Sequence, residues 1–132
     1  MIATGHRHRI LVVDDAVDER NAIAYFLEME GADVAVAGDG EEALNALRAD
    51  PKRCLILLDL EMPGMDGREF RRRQRLSSTM AFIPVVVVSG LPDLAAATRG
   101  MATRAELKKP VELALLLRVV GTHCGGHAEE AA

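Results

Sequence analysis

The sequence predicts an α/β domain, a five-stranded parallel sheet with helices on both faces. Strand-length apolar runs alternate with helix-length amphipathic stretches five times along the chain. The runs Ile10 to Val13, Leu55 to Leu58 and Val85 to Val88 are unbroken, as strands covered on both faces are. Each run ends abruptly in a polar residue or turn. Parallel neighbours need crossover connections of one hand, so this alternation is best met by helices packed on either side of a single sheet.

In order, Arg7 to Val13 reads as the first strand, stopping at Asp14-Asp15. From Ala16 to Glu30, Ala22, Ile23, Phe26 and Leu27 recur at helical spacing, and Gly31 follows as a left-handed cap. Ala32 to Ala37 is a short strand. After the Gly38-Asp39-Gly40 turn, with Asp39 able to cap, Glu41 to Ala49 forms a helix that buries Ala43, Leu44 and Leu47 until Asp50-Pro51 breaks it. The third strand, Leu55 to Leu58, runs into Asp59, and Pro63-Gly64 turns the chain soon after. The next helix is basic (Arg68, Arg71, Arg72, Arg73, Arg75), and its one clear apolar anchor is Phe70. Val85 to Val88, too β-branched for a comfortable helix, ends at Ser89-Gly90. Leu91 to Arg99, with Pro92 in its first turn, forms a short helix. Arg104 to Leu107 is a last strand, and Val111 to Val120 a Leu-rich closing helix after Lys108-Lys109-Pro110.

With 132 residues, 49% of them hydrophobic, the chain has room for one core and little for a second. We divide it into an N-terminal tail (1–7), one domain (8–121) and a C-terminal tail (122–132). A formal charge of −4 argues against direct binding of nucleic acid. No apolar segment suits membrane spanning or secretion, so a cytoplasmic protein is expected. Cys54 and Cys124 lie far apart and form no framework, which suits a reducing compartment. His6 and His8 fall with the tail, and His123, Cys124 and His127 lack a fourth metal ligand.

In such a sheet the ligand site lies at the carboxyl ends of the strands. The polar residues there are Asp14, Asp15, Asp59, Ser89 and Lys109. Singly, each has a plain structural reading: a cap, a loop hydroxyl, a solvated charge. Together they define a chemistry. Three carboxylates at one edge repel one another unless a cation sits among them, and hard oxygen donors with room for water suit Mg²⁺. A carboxylate beside a metal, an ammonium and a hydroxyl can attack a phosphoryl group and form an aspartyl phosphate. No P-loop, GxGxxG or HExxH motif is present.

Asp14-Asp15, Asp59 within Asp-Leu-Glu-Met-Pro-Gly-Met-Asp-Gly, Ser89-Gly90 and Lys109-Pro110, in that order, resemble the receiver domain of two-component response regulators over about residues 8–121. The resemblance implies strand order 2-1-3-4-5 in a flavodoxin-like fold. It makes Asp59 the phosphoacceptor and assigns Mg²⁺ to Asp14, Asp15, Asp59 and the backbone carbonyl of Glu61. Lys109 would pair with the phosphoryl group, Ser89 would move towards it, and the Lys109-Pro110 bond would be cis. The phosphoryl donor would be a histidine kinase or a histidine phosphotransfer protein. Output would run through the face of helix four, strand five and helix five to a downstream protein. A homodimer through that face is a further implication, although Leu113, Leu116 and Leu117 equally fit core positions.

One position departs from the family pattern. Three residues before the lysine, where receivers usually carry an aromatic switch residue, this chain has Glu106. A carboxylate is not buried as an aromatic ring is, so an altered readout is expected. Glu61, two residues after Asp59, can face the hydrolytic water and alter phosphoryl lifetime. The leading reading is a signalling receiver that acts by binding partners and catalyses only its own phosphorylation and dephosphorylation. Two alternatives are a receiver-like binding module independent of phosphorylation, suggested by Glu106, and a phosphohydrolase with an aspartate nucleophile, similar to the haloacid dehalogenases.

Overall fold

Successive residues of a strand face opposite sides of its sheet, and in a sheet covered on both sides this parity sorts the apolar side chains into two cores. A computed structural model describes residues 8–124, and the proposed tail segments 1–7 and 125–132, with His6 and His127, lie outside them. The elements run β1 (Arg9–Val13), α1 (Val17–Met29), β2 (Asp33–Ala37), α2 (Gly40–Ala49), β3 (Leu55–Leu58), α3 (Gly67–Arg75), β4 (Val85–Ser89), α4 (Leu94–Ala97), β5 (Ala105–Lys108) and α5 (Leu113–His123). All strand pairs are parallel, in the order β2-β1-β3-β4-β5. Leu11, Val13, Ile56, Leu58, Val85 and Val87 pack with Ala43, Leu44 and Leu47 of α2 and Phe70 of α3. Ile10, Val12, Leu55, Leu57, Val86 and Val88 pack on the other side with Ile23 and Leu27 of α1 and Leu116 and Val120 of α5. Burying one such Leu or Ile side chain stabilises the fold by roughly 1.5–3 kcal/mol, so these two layers hold the strand ends in place.

The register then fixes the site. Val13 of β1 lies beside Leu58 of β3, and Ser89 of β4 lies beside Lys108 of β5. One residue further on, Asp14 and Asp59 therefore leave the sheet side by side, and Lys109 leaves next to Ser89. The main chain is tied there by Asp59 N–H to the Val13 carbonyl (2.9 Å) and Lys109 N–H to the Ser89 carbonyl (2.9 Å). The Lys109-Pro110 bond is cis, as the resemblance implies.

Several expectations are corrected. Ala22 of α1 is exposed, and Ala24 takes the buried position instead. The fourth helix is only four residues long, because Asp93 rather than an earlier residue caps it, accepting from Ala96 N–H at 3.1 Å. Residues 98–102 then turn away through Gly100 (φ +82°) and Ala102 (φ +56°). At the other end, α5 continues through Thr122 and His123 to a buried Cys124, so the structured unit extends beyond residue 121. His8 is buried, not part of a tail, and its carbonyl accepts from Asp33 N–H at 2.8 Å.

The cysteine reading also changes. Cys54 directly precedes β3 and Cys124 directly follows α5, and the two form a disulfide across 70 residues of sequence with a Cα–Cα distance of 4.9 Å. The cysteines therefore give no support for a reducing compartment. Among the described residues, no helix is long and apolar enough to cross a membrane.

Helix α3 is not held by Phe70 alone. Arg71 and Gln74 are buried beside it. Gln74 donates to the carbonyls of Met80 (2.8 Å) and Ile83 (3.0 Å) and accepts from Arg71 (2.7 Å). Arg71 donates onward to the carbonyls of Met101 (2.9 Å) and Ala102 (3.0 Å). Burial pushes the Arg71 guanidinium pKa down, and the neighbouring charges of Arg75 and Arg104 add to this. Arg68 and Arg75 bind carbonyls of the same 97–100 stretch, while Arg72 and Arg73 clamp Glu69. The arginine-rich face thus holds the loop before β5 in place.

Candidate functional site

The acidic edge is built by backbone geometry. Asp14 accepts Ala16 N–H (2.9 Å) on one carboxylate oxygen, which orients the side chain as the chain enters α1. Beyond Asp59 the chain must turn sharply. Gly64 takes a left-handed conformation (φ +72°), and a Cβ at Gly67 would meet the Asp59 carbonyl oxygen at 2.4 Å. Asp66 then caps α3 by accepting Glu69 N–H at 3.0 Å. The two glycines let the loop fold back tightly beneath Asp59, with Gly67 N–H donating to the Leu60 carbonyl at 3.0 Å.

One carboxylate oxygen from each of Asp14, Asp15 and Asp59 lies within 4.8 Å of the others. Asp14 and Asp59 are buried and Asp15 is exposed. The Lys109 ammonium lies 2.8 Å from Asp14 Oδ2 and 3.9 Å from Asp59 Oδ1. Burial pushes the Asp59 carboxyl up to about 6; the Lys109 charge opposes this, while the charges of Asp14 and Asp15 reinforce it. Burial alone would lower the Lys109 pKa, but hydrogen bonds to Asp14 and Glu19 and the charge of Asp59 raise it, so the ammonium stays protonated. The donors are hard oxygens, gathered at an edge with more negative than positive charge. That chemistry fits a small divalent cation such as Mg²⁺.

Ser89 is buried, and its Oγ accepts Leu91 N–H at 3.1 Å, leaving the hydroxyl proton available to donate. Asp14, Asp15, Asp59 and Lys109 are thus brought together, with Ser89 beside Lys109 at the same edge. Glu61, two residues beyond Asp59, is exposed. Glu106 stands apart: it is exposed on β5 and accepts from the Thr103 hydroxyl at 2.6 Å. Of the three leucines of α5, Leu116 is buried, Leu117 packs partly into the core and Leu113 is exposed.

One residue at this edge was not anticipated from sequence. Glu19, in the first turn of α1, accepts from the Lys109 ammonium at 3.0 Å. Its only sequence signal is position: a carboxylate four residues after Asp15, in a helix that starts at the acidic edge, falls one turn from it.

Comparison with known proteins agrees with this geometry. The family model described as the response regulator receiver domain matches residues 10–120. The chain is 38% identical over 117 residues to the DNA-binding response regulator MtrA of Mycobacterium tuberculosis, an alignment covering 85% of this chain and 50% of MtrA. It spans about half the length of the curated relatives it matches first. Among solved structures, a response regulator receiver protein from Pseudomonas putida superimposes with a TM-score of 0.82 at 32% identity, covering 90% of this chain and 99% of that one. The chemotaxis protein CheY4 of Vibrio cholerae gives a TM-score of 0.81 at 27% identity, covering 89% and 99%. The chain belongs to the response regulator receiver domain family, whose members serve two-component signal transduction.

Proposed function

We propose that Asp59 accepts a phosphoryl group from a histidine kinase or histidine phosphotransfer protein, and that the chain signals by a consequent change in partner binding. The observation that carries this reading is the convergence of three carboxylates and Lys109 at one strand edge. Asp14, Asp15, Asp59 and the Glu61 carbonyl would hold Mg²⁺. When bound, the ion would neutralise the acidic edge and the charge on the phosphoryl oxygens. An Asp59 carboxylate oxygen attacks phosphorus; the new O–P bond forms as the P–N bond to the donor imidazole breaks, and that nitrogen keeps the electron pair and takes up a proton. Lys109 moves from Asp14 towards a phosphoryl oxygen, and the Ser89 hydroxyl donates to another. Hydrolysis later returns inorganic phosphate and the free carboxylate.

The reading includes a cytoplasmic setting and output through the α4, β5 and α5 face, with Leu113 its exposed apolar contribution and a homodimer one of its outcomes. The exposed Glu106 supports an altered readout, since no ring can swing between buried and outward positions there. Incubation with acetyl phosphate and Mg²⁺ tests the chemistry. A stable phosphoprotein that is lost in Asp59→Asn is expected. No modification of the wild type would favour the phosphorylation-independent module, and turnover of small phosphate esters would favour a phosphohydrolase.

A further inference from the structure

We propose that Glu19 is a positioning residue that competes with the phosphoryl group for Lys109 and so acts as a built-in brake on phosphorylation. The inference rests on Asp59 being the phosphoacceptor. The Lys109 ammonium is held by Asp14 Oδ2 at 2.8 Å and Glu19 Oε1 at 3.0 Å, and it is only 3.9 Å from Asp59 Oδ1. It thus makes its two hydrogen bonds to carboxylates other than the one that would carry the phosphoryl group.

To stabilise a group on Asp59, the ammonium must turn towards the new oxygens and lengthen its contact with Glu19. Asp14 is buried, tied to Ala16 N–H and part of the acidic cluster, so its contact with Lys109 is not separable from the cluster itself. Glu19 lies outside the cluster of three, on the first turn of α1, and its side chain is 54% exposed. Its one contribution at this edge is therefore to Lys109. A second effect has the same sign: the phosphoryl group brings negative charge to an edge where the Glu19 carboxylate is already a near neighbour of Lys109, and like charges repel. Both effects weaken phosphoryl binding relative to a chain with a neutral residue at position 19. Because the Glu19 end of the ion pair is open to solvent, the effect is a tuning of severalfold, not a block.

Titration with beryllium fluoride in the presence of Mg²⁺, followed by amide resonances near Asp59, reads the competition directly. The Lys109 ammonium resonance, recorded with EDTA and no beryllium, reads the Glu19 contact without any ligand. Glu19→Gln is expected to bind beryllium fluoride about 2–5-fold more tightly than wild type, the range of an exposed ion pair, and to shift the Lys109 ammonium resonance in the metal-free protein. Glu19→Ala should reproduce both effects with the melting temperature unchanged. Equal or weaker binding by both variants, with wild type binding normally, overturns the brake. An unmoved Lys109 resonance overturns the contact on which it depends. Failure of the wild type to bind beryllium fluoride at Asp59 overturns the phosphoacceptor reading itself, and the brake with it.

Discussion

Asp59 is placed where its own charge is costly. Burial and the charges of Asp14 and Asp15 push its carboxyl up to about 6, and Lys109 only partly offsets them. In the unfolded chain the same carboxyl titrates near about 3.9. Below that value it is neutral in both states, and the raised folded pKa gives its full stabilising contribution. As pH rises towards about 6 the unfolded chain releases its proton first, and that contribution is lost; above about 6 the loss is complete. Asp59→Asn should therefore be more stable than wild type at neutral pH in EDTA, by about 1–2 kcal/mol after allowing for water at the open edge, and no more stable near pH 4. Urea denaturation at the two pH values checks this. Adding Mg²⁺ should stabilise wild type and leave the variant almost unchanged, whereas an equal gain in both would remove Asp59 from the ligand set. The shared position of Asp14, Asp59, Ser89 and Lys109 at one edge was legible in the sequence because Ser89 ends a strand and the other three directly follow one, and register brings strand ends together. Glu19 was not, since its contact with Lys109 spans 90 residues and depends on how α1 lies against the edge.

At the scale of elements, apolar periodicity located the strands and the helices that cover them. It gave no account of α3. Arg71 and Gln74 are polar residue types, yet they occupy buried sites because loops 76–84 and 97–102 offer carbonyls with no strand or helix partner. Gln74→Leu keeps the side-chain bulk but strands the Ile83 carbonyl and one Arg71 donor and leaves the Met80 carbonyl with the Ile83 N–H alone. We expect it to cost about 2–4 kcal/mol in chemical denaturation, well above the few tenths that a solvated helical position would show. The Cys54–Cys124 pairing was hidden for a related reason: spacing along the chain says nothing about where the end of α5 meets the start of β3. The fourth helix was overestimated because the sequence from Leu91 is permissive, while Asp93 sets a later start and the α3 arginines hold the stretch after it in a non-helical course.

For the whole molecule, the proposed output face carries Glu106 where the resemblance to receivers leads one to expect an aromatic residue. Glu106 is solvent-facing and bonded to Thr103, so the inward and outward ring positions of an aromatic switch have no counterpart. A mechanical link from the site towards α4 remains, because Ser89 Oγ holds Leu91 N–H and the Lys108 ammonium holds the Leu91 carbonyl. Binding of beryllium fluoride and Mg²⁺ should therefore shift amide resonances at residues 89–91 and 108–109 strongly and those of α5 only weakly. Large, concerted shifts across α4, β5 and α5 would show that an aromatic at position 106 is not needed for the switch. The central claim, however, is the covalent one. Borohydride reduces an acyl phosphate to the alcohol, so wild-type protein treated with acetyl phosphate and Mg²⁺, reduced and digested, can be mapped residue by residue. The account predicts the reduced side chain at position 59 alone, dependent on Mg²⁺; reduction at another carboxylate, or none, would contradict it.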